Sequence, residues 1–250
     1  YVGVGSKAHK MKKAYIGIGG KARKVKKMYI GVGGKARLCY SAELEKVGMA
    51  AALSTTRYDM RAATVGNYAL FAGGLKPDLT STKTVDAYNT SLTKSTPAEM
   101  EYGRCYHAAA SIGGYALFTC GQEKTNGYDI FVGTTELTHT MATNLTGIPR
   151  EYVRGASVGN YALFAGGQQF EKKSNVLWEV FMVDAYDASL TKTRASNLGS
   201  NKNRDAAATV GNHAVFVGSP DSADIYDASL TRTSAAILST ARTGLAATTV

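Results

Sequence analysis

The stretch Gly159–Gly167, GNYALFAGG, decides the fold because close copies of it recur along the chain. Each copy has a glycine-led pair, a short aromatic and aliphatic run, and a further glycine. The other copies are GNYALFAGG at Gly66–Gly74, GGYALFTCG at Gly113–Gly121 and GNHAVFVGS at Gly211–Ser219. Self-similarity at a spacing of about 40–50 residues is typical of solenoids and propellers.

The residues around each copy predict four short antiparallel strands. In the first repeat Arg61–Val65 and Tyr68–Ala72 are two strands joined by a Gly-Asn turn, in which glycine takes the positive φ of a type II′ hairpin. Val85–Tyr88 is a third strand, and the connection Asn89–Thr93 leads to a fourth. Four strands per repeat, without helical periodicity, favour a β-propeller blade.

The same elements can be followed through the chain. The third strand recurs at Val183–Tyr186 and Ala223–Tyr226, with Tyr128–Phe131 as a divergent copy, and the fourth is predicted to end at Met100, Leu145, Leu198 or Leu238. The predicted blades are residues 61–100, 106–145, 153–198 and 206–238, with a fifth beginning at 246 and an unattached fourth strand at Val47–Leu53. We expect a ring of five to seven blades that is closed by further sequence or is seen incomplete.

These repeats resemble kelch repeats over about residues 43–250. The matching residues are Gly73-Gly74, Gly166-Gly167, Tyr88, Tyr186 and Tyr226. The later Trp of the kelch pattern is absent, and Gly218-Ser219 replaces the Gly-Gly pair in the fourth copy. The resemblance implies an all-β, kelch-like β-propeller.

A shorter repeat occupies residues 1–42. Its units are YVGVGSKAHKMKKA from Tyr1, YIGIGGKARKVKKM from Tyr15 and YIGVGGKARLCYSA from Tyr29. Alternation of Val or Ile with Gly predicts one strand per unit, and the following Gly-rich segment predicts a turn. A unit of this size cannot bury its own apolar face, so we expect the units to stack as a β stalk.

The excess of positive over negative charge is confined to this N-terminal segment. Residues 1–40 hold eleven Lys and Arg and no acid, whereas residues 41–250 hold 18 basic and 19 acidic residues. The lysines could be a solvated edge that limits aggregation, or they could attract an acidic protein surface or phosphate. Nucleic-acid binding is disfavoured because few aromatic residues are interleaved with the lysines.

The 14-residue units resemble repeats of virion and tail proteins of phages and prophages of Gram-positive bacteria. The match covers about 40 residues and includes Tyr15–Ile18, Ala22-Arg23, Val25–Lys27, Tyr29–Val32 and Ala36-Arg37. The resemblance implies a virion structural protein that is made in the bacterial cytoplasm. It also implies contact with other virion proteins through residues 1–42, and the stalk could make the chain a homo-oligomer such as a trimer.

Variable connections mark the predicted binding face. In a four-stranded meander, connections between strands two and three, and between strand four and the next blade, lie at one end, and these vary in length. Loops on a rigid scaffold often carry recognition, although such loops can also be merely unconstrained. The candidates are Lys76, Asp78, Glu123, Lys124, Tyr152, Arg154, Phe170 and Trp178.

Catalytic, metal and cofactor sites are not predicted. His9, His107, His139 and His213 show no paired spacing. His107, Cys105 and Cys120 could meet across a hairpin as a metal site or disulfide, but buried thiols beside a core histidine are favoured. The recurring Asp86, Asp184 and Asp224 are interpreted as structural acceptors, and no apolar run is long enough for a membrane helix.

Three functions follow from these patterns. The first is a tail, tail-tip or fibre-like virion protein whose propeller binds a host-surface glycan or protein. The second is a kelch-like enzyme acting on glycans. The third is an intracellular kelch-type adaptor.

Overall fold

The fold is all-β, and the described residues contain no helix. The computed structural model describes residues 2–4, 7–9, 15–18, 21–24, 27–32, 35–41, 49–121, 130–142, 150–171, 176–199, 204–218 and 222–234. Two compact units are present, residues 1–49 and 50–250. The predicted fifth-blade strand at 246–250 lies outside the described residues.

The first unit contains three antiparallel hairpins. They pair β1 (Val2–Val4) with β2 (Lys7–His9), β3 (Tyr15–Ile18) with β4 (Lys21–Lys24), and β5 (Lys27–Val32) with β6 (Lys35–Ser41). The prediction of one strand and a turn per 14 residues was therefore incomplete. The Lys-Ala-Arg or Lys-Ala-His segment after the Gly-rich turn is itself a strand. It pairs with the strand of the same repeat in which Val or Ile alternates with Gly.

The second unit contains four four-stranded antiparallel sheets among the residues described. Sheet 1 is β7 (Arg61–Val65), β8 (Tyr68–Ala72), β9 (Val85–Asn89) and β10 (Lys94–Ser95). Sheet 2 is β11 (Ala108–Ile112), β12 (Tyr115–Thr119), β13 (Ile130–Thr134) and β14 (His139–Ala142). The predicted first and second strands of sheet 1 are confirmed with their bounds.

Sheets 3 and 4 follow the same order, with one insertion. Sheet 3 is β15 (Arg154–Val158), β16 (Tyr161–Ala165), β19 (Val183–Tyr186) and β20 (Lys192–Arg194), and the hairpin β17 (Gln168–Glu171) and β18 (Val176–Glu179) is inserted between its second and third strands. Sheet 4 is β21 (Arg204–Val210), β22 (His213–Gly218), β23 (Ser222–Tyr226) and β24 (Arg232–Ser234). The long predicted loop in sheet 3 therefore contains two strands, which we call the arm.

Neighbouring sheets meet along their first strands. Strand β7 lies beside β11, β11 beside β15, and β15 beside β21. An apolar core fills each of the three gaps between successive sheets. In the gap between sheets 3 and 4, for example, Val158, Leu163 and Phe216 are buried. Burial of these side chains between sheets is the main stabilising contribution to this unit.

The turn between the third and fourth strands adds an anchor to each gap. In sheet 3 the Asp187 carboxylate accepts hydrogen bonds from the backbone N–H groups of Ser189 and Thr191. Leu190 then takes a left-handed backbone with φ +61°, and its side chain packs against the core between sheets 2 and 3. The apolar contact compensates for a backbone conformation that is unfavourable for leucine.

Turns of neighbouring sheets meet at one end of the array. In sheets 1 to 3 the glycine after the first strand faces the third-to-fourth-strand turn of the next sheet: a Cβ added to Gly159 (φ +51°) would lie 2.8 Å from the Ala228 Cβ. The positive φ confirms the predicted turn geometry. The turns between the first and second strands and between the third and fourth strands, which vary little in length and which we call the constant turns, therefore lie at the same end of the sheets.

Gly159→Ala and Gly211→Ala separate two costs of losing a turn glycine. Gly211 has the similar φ of +55°, but among the described residues an added Cβ would have no neighbour within 4 Å. We expect Gly211→Ala to lower the free energy of unfolding by about 1–2 kcal/mol through backbone strain alone. Gly159→Ala should cost measurably more, because its Cβ also meets Ala228. Urea unfolding of both variants checks this, and equal losses would contradict the contact between the turns.

Three strand predictions are wrong. The fourth strands are shorter than predicted: β10 ends at Ser95 and β20 at Arg194, although Met100 and Leu198 beyond them are buried. In sheet 2 the described part of the third strand is Ile130–Thr134, so it extends beyond the predicted end at Phe131, and Phe118 pairs with Phe131 where the other sheets pair Phe with Asp.

The third wrong strand is the predicted unattached one at the start of the second unit. Its described part, residues 49–53, forms no strand. The side chains of sheet 1 hold this segment instead: the Tyr88 hydroxyl donates to the Ala51 carbonyl oxygen and the Lys94 ammonium to the Ala52 carbonyl oxygen. Side-chain hydrogen bonds therefore hold this segment where a backbone ladder was predicted.

The recurring aspartates form buried ion pairs, which supports their predicted structural role. Arg57 Nη2 lies 2.8 Å from Asp86 Oδ2, and Arg150 Nη2 lies 2.6 Å from Asp184 Oδ2, with both pairs buried. In sheet 4 the Arg232 Nη1 to Asp224 Oδ1 distance is 2.8 Å, but the arginine is partly exposed. Arg57 and Arg150 lie in connections entering their sheets, so each pair fixes a connection to the core.

Candidate functional site

The end opposite the constant turns is built from the variable connections. Gly74 N–H donates to the Arg104 carbonyl oxygen (2.7 Å) and Gly121 N–H to the Arg150 carbonyl oxygen (2.9 Å). Each bond joins the segment after a second strand to the connection that enters the next sheet. The predicted clustering of variable connections at one end is therefore confirmed for the described residues.

The closing glycine of the repeat permits this close approach. Gly167 has φ +100°, and a Cβ added there would lie 2.6 Å from the Glu151 carbonyl oxygen. Glu151 and Gln168 exchange two backbone hydrogen bonds of 2.8 Å at the same place. The arm, which begins at Gln168, is therefore anchored next to the residue that precedes Tyr152.

A cavity of about 620 Å³ lies between the first strands of the four sheets. Its walls are residues 62–64, 109–111, 155–157 and 207–209, all of them Ala, Gly, Ser or Thr. Small side chains are needed because these strands approach closely: a Cβ added to Gly155 would lie 2.2 Å from the Ala109 carbonyl oxygen. The Ala- and Thr-rich composition of the first strand follows from this packing.

Hydroxyl side chains link the strands around this cavity. We call Thr64, Ser111, Ser157 and Thr209 the hydroxyl ladder, since they occupy the same position in successive first strands. Thr64 N–H donates to Ser111 Oγ (3.0 Å), and Ser157 Oγ donates to the Ser111 carbonyl oxygen (2.5 Å). Ser157 N–H donates to Thr209 Oγ1 (3.1 Å), which itself donates to the Ser157 carbonyl oxygen (2.6 Å).

Thr209→Val should weaken the contact between sheets 3 and 4. The substitution keeps the shape but removes both hydrogen bonds to Ser157, so we expect a loss of about 1–3 kcal/mol in the free energy of unfolding. Thr64→Val is the matched control, since it removes a single 3.3 Å contact and leaves the backbone bond to Ser111. Thermal and urea unfolding measure both, and an equal effect would contradict the ladder.

Three residues at equivalent positions lie where the chain enters the first strands, at one end of the cavity, which we call its mouth. Asp59, Tyr106 and Tyr152 each lie three residues before a cavity-lining residue, and each has a left-handed backbone, with φ of 52°, 53° and 58°. Tyr152 N–H donates to the Tyr106 carbonyl oxygen (2.9 Å). Three residues of chain span at most about 10 Å, so the backbone at each of these positions lies within about 10 Å of the cavity lining.

The two tyrosine rings at the mouth contact each other. The ring centroids of Tyr106 and Tyr152 are 4.9 Å apart with an interplanar angle of 31°. Partial burial raises the pKa of both phenols, and the negative charge of Asp59 raises it further. Both hydroxyls are therefore protonated at neutral pH and can donate hydrogen bonds. We call Asp59, Tyr106, Tyr152 and Arg154 the mouth cluster.

Arg154 completes the mouth cluster. Its Nη1 donates to the carbonyl oxygens of Tyr152 (3.0 Å) and Val153 (3.3 Å), which holds the guanidinium beside the ring pair. Its positive charge lowers the pKa of Tyr152 and so opposes the effects of burial and of the nearby carboxylates. The cluster thus combines aromatic faces, a carboxylate and a guanidinium.

The other predicted site residues that the structure describes lie on other segments of the chain. Asp78 accepts hydrogen bonds from the Thr80 backbone N–H (3.0 Å) and hydroxyl (2.6 Å), so it stabilises a turn. These bonds, and the nearby positive charge of Lys76, lower the pKa of Asp78. Trp178 is 56 % exposed on β18, and Phe170 lies on β17. Glu123 and Lys124 lie outside the described residues.

Sequence reasoning found Tyr152 and Arg154 but missed Asp59 and Tyr106. A signal was present: three of the four connections that enter a sheet read Arg, any residue, then Asp or Tyr, at Arg57–Asp59, Arg104–Tyr106 and Arg150–Tyr152, whereas the connection before sheet 4 does not. The arginine that these three share is buried, and the residue two positions later differs between them. A residue that varies between repeats beside a shared structural residue is typical of a binding position.

The structure places Cys105 and His107 in the core and packs Cys120 against it. Cys105 and Cys120 form no disulfide in the described part of the chain. No group of three or more potential metal ligands occurs among the described residues. His107 is fully buried beside Phe118, with ring centroids 6.2 Å apart, and burial holds its pKa well below the usual value. His107 is therefore a neutral core residue at neutral pH.

Comparisons with known proteins do not assign the chain to a family. No family model matches the sequence, and no curated protein matches it significantly. The described residues include no helix of the length and apolarity required to cross a membrane.

Proposed function

We propose that residues 50–250 form a β-propeller of kelch-like blades. Three features support this arrangement: the first strands lie side by side, apolar cores fill the gaps between successive sheets, and the turns of each sheet contact those of the next. Radial repetition of small sheets is the usual way to pack such strands while protecting their edges. The cavity between the first strands would then lie on the propeller axis.

We further propose that the protein is a structural component of a phage virion, in the tail, tail tip or fibre. Its propeller would bind a glycan or protein on the host surface, and residues 1–42 would contact other virion proteins. The resemblance of the 14-residue repeats supports the virion location. The observation that carries the binding role is the separation of constant turns from variable connections at opposite ends of four packed sheets.

Labelling of intact particles tests the virion location. Gold-conjugated antibodies raised against the chain are expected to decorate the tails of intact particles produced by the host. Particles lacking the chain are the control. Absence of label on intact and disrupted particles alike would contradict the proposal.

Binding to host cells tests the recognition role. Fluorescently labelled full-length chain should bind host cells saturably, and unlabelled chain should compete. Release of a sugar product from surface glycans would instead favour the glycan-active enzyme. DNA binding that weakens steeply with salt would contradict recognition of the cell surface, because such a slope reports neutralisation of phosphates.

A further inference from the structure

The backbone at the mouth of the cavity does not require tyrosine. Left-handed φ values near +55° are adopted more easily by glycine than by Tyr106 or Tyr152. The hydrogen bond between them uses backbone atoms only and would form equally well with glycine. The fold therefore accounts for the backbone at these positions, and the two rings need a separate explanation.

The rings form a prearranged and accessible aromatic surface. The two rings pack against each other in a tilted arrangement, with centroids 4.9 Å apart, so each ring has a contact that does not depend on a bound partner. Tyr152 is 38 % exposed, so part of its ring remains available to solvent while the rest is packed. A rigid, half-exposed ring loses little conformational freedom when a ligand stacks on it.

The charges around the rings balance. Asp59 interacts electrostatically with both tyrosines, and Glu151 adds a second carboxylate beside Tyr152. Arg154 is held by carbonyl oxygens beside Tyr152, and Arg61 interacts with Asp59. Two carboxylates and two guanidiniums give the mouth no net preference for an anion or a cation, but they supply hydrogen-bond acceptors and donors.

We propose that the mouth cluster binds a neutral saccharide. The apolar face of a sugar ring would pack on the exposed part of the Tyr152 ring, as apolar C–H surfaces pack on aromatic faces. Sugar hydroxyls would donate to the Asp59 carboxylate and accept from the Arg154 guanidinium. This inference rests on the proposed binding role of the variable connections and names the class of ligand and the residues that contact it.

Titration of the full-length chain with defined sugars tests the site. The probes are methyl glycosides of glucose, galactose, N-acetylglucosamine and rhamnose, with sialic acid and galacturonic acid as charged comparators, measured by calorimetry and ligand-observed NMR. At least one neutral glycoside should bind more tightly than either acid. Absence of binding by every neutral probe, or tighter binding of an acid, would overturn the proposal.

Variants locate the binding to the mouth. Tyr152→Ala should weaken the affinity by about tenfold, and Tyr152→Phe, which keeps the stacked ring, by no more than about threefold. Asp59→Asn keeps the shape and the left-handed backbone, and should weaken binding by about fivefold. His213→Ala, at an exposed position beside the constant turn Gly211-Asn212, is the control and should bind normally.

Two variants of the mouth cluster are needed because either one could fold poorly. Thermal unfolding of each identifies misfolded variants, and Asp59→Asn serves where Tyr152→Ala is destabilised. Normal affinity in a folded Tyr152→Ala or Asp59→Asn variant, or a loss seen instead in Trp178→Ala, would refute the mouth as the site. If the chain binds a sugar but antibodies do not label the virions, only the virion proposal is rejected. If the virions are labelled but the chain binds no sugar, only this site is rejected.

Discussion

Replacing Arg150 by methionine should lower the free energy of unfolding by about 3–5 kcal/mol, one of the two largest effects we expect. The Arg150 side chain is 1 % exposed and pairs with the fully buried Asp184. It also donates to the carbonyl oxygens of Gly166 and Met182, both at 3.0 Å. Without the guanidinium, the carboxylate must be protonated or remain as a buried charge, and two carbonyls lose a donor.

Arg232→Met is the matched control for this prediction. Arg232 makes the corresponding contact with Asp224, but its side chain is 27 % exposed. Solvent screens a partly exposed pair, so we expect a loss of about 1 kcal/mol or less. Urea unfolding followed by circular dichroism measures both variants. Losses of equal size would show that burial of the Arg150 pair does not determine its contribution.

Val158→Asp should also destabilise the protein severely, by about 4 kcal/mol or more. Val158 is 1 % exposed in the core between sheets 3 and 4, so the substitution places a carboxylate among apolar side chains. An unpaired buried charge costs several kcal/mol even after the surroundings relax. Val158→Ala is a milder variant that should cost about 2 kcal/mol through lost apolar burial.

Val210 offers a control at the same position of the repeat. It precedes the turn glycine of sheet 4 as Val158 does in sheet 3, but it is 58 % exposed. Val210→Asp should therefore change the free energy of unfolding by about 0.5 kcal/mol or less. Thermal unfolding of both aspartate variants compares them directly. A large loss from Val210→Asp would mean that this face of sheet 4 is covered in solution.

Much of the local structure could be predicted from the sequence. The repeat Arg61–Ala72 indicated two strands and a two-residue turn, and the coordinates agree at both strand boundaries. These features depend on residues close together in the chain: alternation sets the strand, and a glycine permits the positive φ of the turn. The prediction was wrong for the third strand of sheet 2, where Phe131 takes the position held by aspartate elsewhere.

The candidate site was only half predictable. Tyr152 and Arg154 were identified because they lie in a variable connection. Tyr106 lies 46 positions earlier, in the connection that enters sheet 2, and it contacts Tyr152 only because sheets 2 and 3 pack side by side. Phe170 and Trp178 were predicted as loop residues and instead lie on the strands of the arm. Spacing in sequence cannot show which connections meet when each sheet packs against the next.

The sequence by itself determined the all-β class, the repeat unit and the turn chemistry, since each depends on interactions within a few residues. The tertiary structure alone decided which distant groups meet: Arg150 with Asp184, Ser157 with Thr209, and Tyr106 with Tyr152. The last two contacts exist because apolar burial packs one sheet against its neighbour at a fixed register. The side chains brought together at the mouth of the cavity are a consequence of that packing.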